Sequence, residues 1–443
     1  MTSHPPFPHR PGLLVKQRES LSAADSFVFY GVFGLLLLGP LALGAVEPWA
    51  IFSLEAGAGL LFIVWIASRF FSNDLSVNWI PLFSPMLVFA ALVVFQIVTG
   101  RTAYRYATFS SGLLYVAYGL LCFLTVQCLQ RTSQVKILAI SFSAYGLAVA
   151  TFGLFQGLGS NGKLYWLRTP SGGSWIYGPY VNHNHYAGLM EMLVPIPLVL
   201  SLTSHGRSWL RKAAVVASAV MATTIFLAGS RGGMIAFICE LILLSCILIW
   251  QRSSGSNSFS SKLTLALFAV LFLSFLGWVG GHEAIDRLVN VESTRHEITS
   301  GLRLAIDRDL LKMFPHRPFL GWGLGTFEYV YPQFRSFYTS YYIDEAHNDY
   351  LQLLIELGAA GFITMIWLLV LVFRLASQKL RNWHNDTNGA VALAALLGVT
   401  GILVHSLVDF NLQVPANAAI FYVLCTIAAI EPRFGSFRPP RRD

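Results

Sequence analysis

Long apolar runs recur along almost the whole chain, and this pattern constrains the fold more than any other feature. Of the 443 residues, 55% are hydrophobic and only 12% are charged, whereas soluble domains carry roughly 25% charged residues. Because a helix needs about 20 mostly apolar residues to cross a bilayer, we predict an all-α integral membrane protein with about twelve transmembrane helices. The candidate spans are 26–46, 49–68, 80–99, 111–129, 137–158, 186–203, 212–229, 233–250, 263–280, 357–373, 389–408 and 414–430.

The Lys and Arg residues indicate how these spans are oriented, because cytoplasmic segments carry an excess of them near span ends. If the N-terminus is cytoplasmic, the cytoplasmic segments hold most of these residues. The short segments on the other side then hold only Arg101, Arg105, Lys163, Arg168 and Arg231. We therefore expect both termini inside the cell. The net charge of +8 is expected to reflect topology and contact with membrane lipids, and nucleic acid is not an expected partner.

Two outer segments are too long to be simple connections, and their many aromatic residues argue against disorder. One covers 159–185, and the larger one covers 281–348. A cleaved signal peptide is the alternative interpretation of the first span, although that run is longer than a typical signal sequence. The expected organisation is a disordered cytoplasmic tail at 1–25, spans one to nine at 26–280, a large outer loop with short helices at 281–348, spans ten to twelve at 349–430, and a basic cytoplasmic tail at 431–443.

Arginines beside apolar segments are candidates for a binding site, because charges at membrane depth are costly. Arg231 lies in "FLAGSRGGMIAF", where Gly and Ser neighbours permit a close backbone approach and the next helix offers free N–H groups. A simple anchor at the membrane surface stays open for it. Arg287 and Arg303 lie on apolar-patterned helices of the large loop, and a guanidinium suits phosphate because it donates two parallel hydrogen bonds. Three carboxylates inside predicted spans are expected to pair with other helices: Glu55, Glu191 and Glu240.

A histidine at the start of the tenth span is the main candidate for proton transfer. His347 lies in "DEAHNDYL", just before an apolar run. If the helix begins near Asp344 or Asn348, His347 shares one helical face with Tyr350. An imidazole there can act as a general base near neutral pH.

Two further histidines form an H-x-H pattern in "YVNHNHYAGLM" at the start of span six. A metal site formed by His183 and His185 with His347 as a third ligand is conceivable. The neighbouring asparagines suit hydrogen bonds to a sugar or a lipid headgroup better. We therefore expect no metal ion and no cofactor.

Four segments, taken in order, resemble the O-antigen ligase superfamily. They are "GPYVNHNHYAGLMEMLVP", "LAGSRGG", "GLRLAIDRDLLKMFPHRPFLGWGLGTF" and "EAHNDYLQLLIELGAAG", and they cover roughly residues 178–362. This superfamily contains bacterial O-antigen ligases, O-antigen and exopolysaccharide polymerases, and protein O-oligosaccharyltransferases. The resemblance implies a bundle similar to the GT-C glycosyltransferases, lying in the bacterial inner membrane with its active site on the periplasmic face.

The resemblance also implies a reaction. A glycan moves from undecaprenyl diphosphate to an acceptor hydroxyl, with inversion at the anomeric carbon and without a metal ion. The histidine of the family's H-[NS]-x-x-L pattern corresponds to His347, which would be the catalytic base. The family's arginines correspond to Arg231 and Arg303, and together with Arg287 they would bind the diphosphate. Asp307 stands where the family's R-x-x-I-W pattern commonly has tryptophan.

Residues beside these motifs are expected to bind or support the substrate, namely Asn182, His183, His185, Tyr186, Asn348 and Asp349. The acceptor stays open between lipid A–core, a growing polysaccharide and a protein. A multi-span transporter or flippase is the alternative from another functional class. It predicts inverted repeats with broken helices paired between the two halves, and the sequence has neither.

Overall fold

The computed structural model describes residues 22–169, 177–204, 207–252, 258–279, 300–340 and 342–432, and these ranges are predominantly helical. The helices are α1 (Ala23–Leu41), α2 (Pro48–Phe71), α3 (Phe83–Val98), α4 (Arg105–Cys128), α5 (Thr132–Leu158), α6 (His183–Leu193), α7 (Pro195–Leu202), α8 (Ser208–Ala228), α9 (Arg231–Arg252), α10 (Ser258–Val279), α11 (Ser300–Met313), α12 (Phe327–Val330), α13 (Asp349–Ser377), α14 (Thr387–His405) and α15 (Pro415–Ala429).

The predicted all-α membrane fold is confirmed. Within the described ranges, ten helical segments are long and apolar enough to cross a bilayer, with α6 and α7 counted as one segment. Two shorter apolar helices, α3 and α15, complete the bundle. Each of the twelve predicted spans overlaps one of these segments.

Two spans begin six or more residues earlier than the apolar pattern predicts. α4 begins at Arg105 instead of 111, and α13 begins at Asp349 instead of 357. The added turns contain polar side chains that have partners in the folded protein. For example, the Thr108 hydroxyl lies 2.6 Å from the Thr102 hydroxyl. Because tertiary contacts satisfy these polar groups, the helices extend beyond the apolar stretches.

Consecutive spans run antiparallel, so that their connections alternate between the two ends of the bundle. At one end the connections contact one another: Ala103 N–H donates to Trp322 O at 2.6 Å, and Arg303 Nη1 donates to Val408 O at 2.6 Å. We call this the loop end. It is formed by residues 42–47, 99–104, 159–169, 177–182, 229–230, 300–340, 342–348 and 406–414.

The described part of the large loop packs around an apolar core that is separate from the core of the bundle. Ile306, Leu310 and Met313 of α11 are fully buried in it. They contact Phe327 and other residues of the same loop, together with Ile355 of α13. The loop is therefore fixed to the bundle through the first turns of α13. Residues 280–299 lie outside the described ranges.

α13 is interrupted at Gly358, and the backbone of residues 318–323 fills the interruption. Gly358 has φ 63° and ψ −167°, a conformation that only glycine adopts readily. Four backbone hydrogen bonds join the two segments: Trp322 N–H to Ile355 O (2.9 Å), Gly323 N–H to Glu356 O (2.9 Å), Ala359 N–H to Pro318 O (2.8 Å) and Ala360 N–H to Phe319 O (3.1 Å).

Two side chains complete this junction. The Gln96 amide of α3 donates to Leu320 O at 2.6 Å and to Glu356 O at 2.9 Å. The buried Glu356 carboxylate accepts hydrogen bonds from the backbone N–H groups of Gly325 and Phe327, at 2.8 and 3.2 Å. The buried Gln96 amide and Glu356 carboxylate are thus both paired with backbone groups, as burial requires. The loop is thereby held at one position over α13.

Replacing Gly358 with Ala should strongly destabilise the protein. A Cβ at this position would lie 2.4–2.5 Å from the backbone of Phe319 and Leu320, and the required φ is strained for any other residue. We expect a loss of at least about 3 kcal/mol in the free energy of unfolding. Thermal unfolding of the detergent-solubilised protein would measure it.

Gly119→Ala is the matched control, because a Cβ added at this helical glycine meets no atom within 4 Å. It should leave the midpoint of unfolding unchanged or slightly raised. Equal stability of the two variants would show that residues 318–323 do not require the interruption in α13.

Candidate active site

A buried carboxylate lies at the centre of the loop end. Asp409 belongs to the connection between α14 and α15 and is only 1% exposed. Its Oδ1 lies 3.8 Å from His185 Nε2 and 3.7 Å from His347 Nδ1. Its Oδ2 lies 3.5 Å from Arg303 Nη1. Three of the predicted site residues, from α6, α11 and the segment before α13, therefore meet at one side chain.

Phe410 holds the two imidazoles in similar positions. The ring centroids of His185 and His347 each lie 4.7 Å from that of Phe410, with interplanar angles of 74° and 76°. Both contacts are edge-to-face, a favourable geometry for aromatic pairs. The two histidines thus share both a carboxylate and an aromatic neighbour.

Asp409 is ionised at neutral pH. Burial alone would raise the pKa of its carboxyl, but the charge of Arg303 and the nearby ring of His347 hold this pKa well below its ordinary value. A buried carboxylate that stays charged provides a fixed negative potential. It can orient an imidazole that faces it.

Arg303 is tied to the same connection as Asp409. Its Nη1 donates to Val408 O at 2.6 Å while also facing the Asp409 carboxylate. Asp307 lies one turn further along α11, half-buried, and burial raises its pKa against the opposing effect of a hydrogen bond with Asn348. The residue that stands where tryptophan is common in the family thus pairs with the segment that carries His347.

His347 precedes α13 in a left-handed backbone conformation, with φ 55°. Its predicted placement on a helical face beside Tyr350 is wrong, because the helix begins only at Asp349. A non-glycine residue in this conformation costs on the order of 1–2 kcal/mol, so the surroundings must hold it. Asn348 caps the helix by accepting a hydrogen bond from Leu351 N–H at 3.2 Å, and Ala346 N–H donates to Gln352 Oε1 at 2.9 Å.

Asp349 joins the start of α13 to the connection that carries Asp409. Its backbone N–H donates to Ser406 O at 3.0 Å. Its carboxylate accepts three hydrogen bonds, from Ser406 Oγ (2.7 Å), Leu412 N–H (3.1 Å) and Gln413 Nε2 (3.2 Å). Asp349 is therefore engaged within the protein, and in this structure it supports the site by fixing His347 relative to Asp409.

Arg231 is the first residue of α9 and is exposed at the loop end. It follows a two-residue turn made of Gly229, which adopts a left-handed conformation with φ 77°, and Ser230. The Ser230 hydroxyl accepts a hydrogen bond from Gly233 N–H at 3.2 Å and so caps α9. The Arg231 side chain has no ion pair or hydrogen bond with any residue that the structure describes. It is available for a ligand.

The two glycines of the "SRGG" motif allow neighbouring helices to approach the start of α9. A Cβ at Gly232 would lie 2.5 Å from the ring of His405 and 3.0 Å from Val408. A Cβ at Gly233 would lie 2.8 Å from the Glu191 carboxylate. The close approach predicted from these glycines therefore involves other helices. Because Gly232 touches Val408, Arg231 and Arg303 flank the same connection.

Beneath this turn, three buried side chains form a chain of contacts across α6, α9 and α14. Glu191 Oε1 lies 2.9 Å from His405 Nδ1, and the Ser230 hydroxyl lies 3.4 Å from His405 Nε2. This pairing agrees with the expected interhelical role of Glu191. The backbone of His405 also accepts the N–H groups of Val408 and Asp409, at 3.0 and 3.1 Å. His405 thus connects the start of α9 to the Asp409 turn.

The remaining predicted residues near α6 are internal. Asn182 caps α6 by accepting Asn184 N–H at 2.8 Å, and His183 is buried at the first position of the helix. Tyr186 is fully buried and donates to Thr224 Oγ1 at 2.8 Å. Asn182 thus caps the helix at a partly exposed position, whereas Tyr186 lies inside the bundle.

Arg287 lies outside the described residues, so its position relative to the site stays a prediction. Among the residues that are described, no three His, Cys, Asp or Glu side chains are arranged to hold a metal ion.

Asp409, Phe410, Ser230 and His405 are absent from the sequence-based predictions. For His405 a signal existed, because an ionisable residue inside the apolar run 389–408 is costly and usually has a partner. Asp409 gave no comparable signal. A single acidic residue in a short connection is ordinary, and its partners lie far away in the sequence.

Comparison with known families identifies the segment that carries this geometry. Residues 216–366 match the O-antigen ligase family model. The match covers about one third of the chain and confirms the resemblance to the O-antigen ligase and polymerase superfamily. It includes Arg231, Arg303 and His347, whereas His185 and Asp409 lie outside it. A comparison with curated proteins found no match.

Replacing Asp409 with Asn should destabilise the folded protein at neutral pH. Arg303 and the two histidines would lose their charged partner, at a cost of about 1–3 kcal/mol. Because the pKa of Asp409 is lower in the folded than in the unfolded protein, its contribution is complete above the unfolded value of 3.8 and disappears as pH falls through the folded value. Thermal unfolding at several pH values would measure the difference.

The gap in stability between wild type and Asp409→Asn should therefore persist from pH 7 to pH 5, and it should close only below about pH 4. Asp386→Asn is the control. Asp386 caps α14 at the opposite end of the bundle, away from the residues around Asp409. A gap that already closes between pH 7 and 5 would contradict the ionised state of Asp409.

Proposed function

We propose that this O-antigen ligase-type membrane protein moves a glycan from an undecaprenyl-diphosphate donor to an acceptor hydroxyl, with His347 as the general base. The observation that carries this proposal is the convergence of His347 and Arg303 on the Asp409 carboxylate, within 3.7 Å, at one end of a membrane bundle. From the distribution of Lys and Arg, we infer that this end faces the periplasm and that the membrane is the bacterial inner membrane.

The orientation of the imidazole supports the role of a base. Asp409 is ionised and faces Nδ1 of His347, so it favours the tautomer with the proton on Nδ1. The Nε2 lone pair is then free to accept a proton from the acceptor hydroxyl. The negative charge of Asp409 also stabilises the imidazolium that forms. A distance of 3.7 Å is long for a hydrogen bond, and such contacts often shorten when substrate binds.

The arginines suit the departure of the diphosphate. Cleavage of the glycosyl–phosphate bond places negative charge on the leaving group, and fixed guanidinium groups stabilise charge that develops in the transition state. Arg303 uses Nη1 for Val408 and Asp409, while its buried Nε has no hydrogen-bond partner among the described residues, and we propose that its remaining N–H groups donate to phosphate. Arg231 stands at the N-terminus of α9, where the backbone N–H groups and the helix dipole also favour an anion. Arg287 is proposed as a third contact from the sequence alone.

The buried residues divide into two groups in this reaction. Asp409 and Asp349 are proposed to position His347, and the contacts of Ser230 and His405 are proposed to position Arg231. We propose that His185 contributes to the binding of a sugar, because it shares Asp409 and Phe410 with His347. Inversion at the anomeric carbon follows if the acceptor attacks directly on the side opposite the diphosphate. The acceptor stays open between lipid A–core, a growing polysaccharide and a protein.

Replacing His347 with Ala should reduce glycan transfer at least about 100-fold, because the reaction loses its general base. The assay uses purified protein in nanodiscs with a radiolabelled undecaprenyl-diphosphate glycan and measures the labelled product. His316→Ala is the matched control, since His316 is an exposed histidine of the same loop, and it should keep normal activity. A His347→Ala protein that transfers at the wild-type rate would exclude the base role.

Replacing Arg303 with Lys should slow turnover at least about tenfold although the positive charge is kept, because an ammonium group cannot make two parallel hydrogen bonds to phosphate. Arg231→Lys should have an effect of the same kind. Initial rates at saturating acceptor would measure both.

Arg308→Lys is the matched control, because Arg308 is exposed on the same helix as Arg303. Unfolding temperatures of all variants would separate loss of turnover from loss of folding. If Arg303→Lys or Arg231→Lys turns over at the normal rate, that arginine does not bind the diphosphate through two parallel hydrogen bonds and is an anchor at the membrane surface.

A further inference from the structure

Four exposed tyrosines and one carboxylate form a continuous surface at the loop end, outside the cluster around Asp409. We call this surface the tyrosine patch. Two of its rings belong to the start of α4, and the others belong to the large loop. The exposed fractions of the four tyrosines range from 43% to 73%. The patch consists of Tyr104, Tyr106, Glu328, Tyr329 and Tyr342.

The rings of the patch contact one another across two separate parts of the chain. The centroids of Tyr104 and Tyr329 lie 4.7 Å apart with an interplanar angle of 59°. Those of Tyr104 and Tyr106 lie 6.1 Å apart with an angle of 51°. At the edge, the Tyr342 hydroxyl donates to Glu328 Oε2 at 3.1 Å. The result is a set of exposed ring faces bordered by a carboxylate.

Both halves of the patch are held in place before any ligand binds. Ala103, next to Tyr104, donates its N–H to Trp322 O at 2.6 Å. Phe327, next to Glu328, donates its N–H to the buried Glu356 carboxylate at 3.2 Å. A surface that is already ordered loses little conformational entropy when a ligand binds.

The chemistry of the patch fits a carbohydrate better than a lipid or a simple anion. A pyranose has an apolar face of C–H groups that can lie against an aromatic ring, and a rim of hydroxyls that need both acceptors and donors. Glu328 supplies acceptor oxygens, and the hydroxyls of the exposed Tyr104 and Tyr106 can both donate and accept. On a surface that faces lipid, the charge of Glu328 would be costly. In an anion-binding site, its carboxylate would repel the ligand.

The patch is also within reach of the proposed reaction centre. Tyr342 precedes His347 by five residues, and such a segment spans at most about 17 Å when fully extended. We propose that the tyrosine patch binds the glycan chain at sugar units beyond the reacting one. This inference rests on the proposed function, since it assigns a second binding site to the same substrate. It makes the patch a determinant of glycan length and composition.

The test measures glycan binding separately from transfer. Full-length protein in nanodiscs is applied to an array of bacterial surface polysaccharide fragments of several lengths. The wild type should bind one or more fragments, with affinity that rises with the number of sugar units. Tyr104→Ala and Tyr329→Ala should each weaken that binding about tenfold, since each removes one ring face.

Tyr338→Ala is the matched control, because Tyr338 is an equally large aromatic residue, 92% exposed, on the same loop. It should bind as the wild type does. His347→Ala should also bind normally, because the patch does not include the proposed base. Binding that depends on Tyr338 as much as on Tyr104 would mean that stacking at the patch is not specific, and this would overturn the inference.

Two other outcomes would also overturn it. One is the absence of binding to every fragment, or unchanged binding in both patch variants. The other is normal glycan binding by both patch variants together with an unfolding temperature that no longer depends on the phosphatidylglycerol content of the nanodisc, which would make the patch an anchor at the membrane surface. If the patch variants bind glycans normally while His347→Ala abolishes transfer, the proposed function stands and this inference fails.

Discussion

A charged carboxylate buried beside a membrane is stable only when charged and hydrogen-bonding partners surround it. For this reason, the residues of the candidate site pack around Asp409. Its partners come from three distant parts of the chain, namely His185, Arg303 and His347. Asp349 adds three hydrogen bonds to the same connection. Burying the Asp409 carboxylate without these partners would cost free energy of folding. The fold that buries this charge therefore also brings together the residues proposed for catalysis.

Glycines make this arrangement sterically possible. Gly358 lets residues 318–323 enter the interruption in α13, which fixes the loop that carries Arg303. Gly232 and Gly233 let His405 and Glu191 pack against the start of α9, which fixes Arg231. The proposed base therefore precedes α13, the two proposed phosphate contacts lie on α9 and α11, and close packing at these glycines holds the three segments in place. This rigidity suits a reaction in which preorganised charge stabilises the leaving diphosphate.

The apolar pattern was sufficient to predict every span, because burial in lipid requires long apolar helices. It placed the starts of α4 and α13 too late, since their first turns contain polar residues that only tertiary contacts satisfy. The positions of His347, Arg231 and Arg303 beside apolar segments, and the family resemblance, identified them as candidates, but the sequence placed His347 on a helix that in fact begins two residues later. Asp409 and Ser230 could not be predicted, because their importance arises from partners more than 60 residues away.

The central claim is that the loop end breaks a glycosyl–phosphate bond. The most direct measurement is simultaneous quantification of free undecaprenyl diphosphate and of glycosylated acceptor, using purified protein in proteoliposomes that contain the lipid-linked glycan. The account predicts that the two products appear in equal amounts and at equal rates, and that both require the acceptor. Movement of intact lipid-linked glycan across the bilayer, without release of undecaprenyl diphosphate, would contradict it and indicate a transporter.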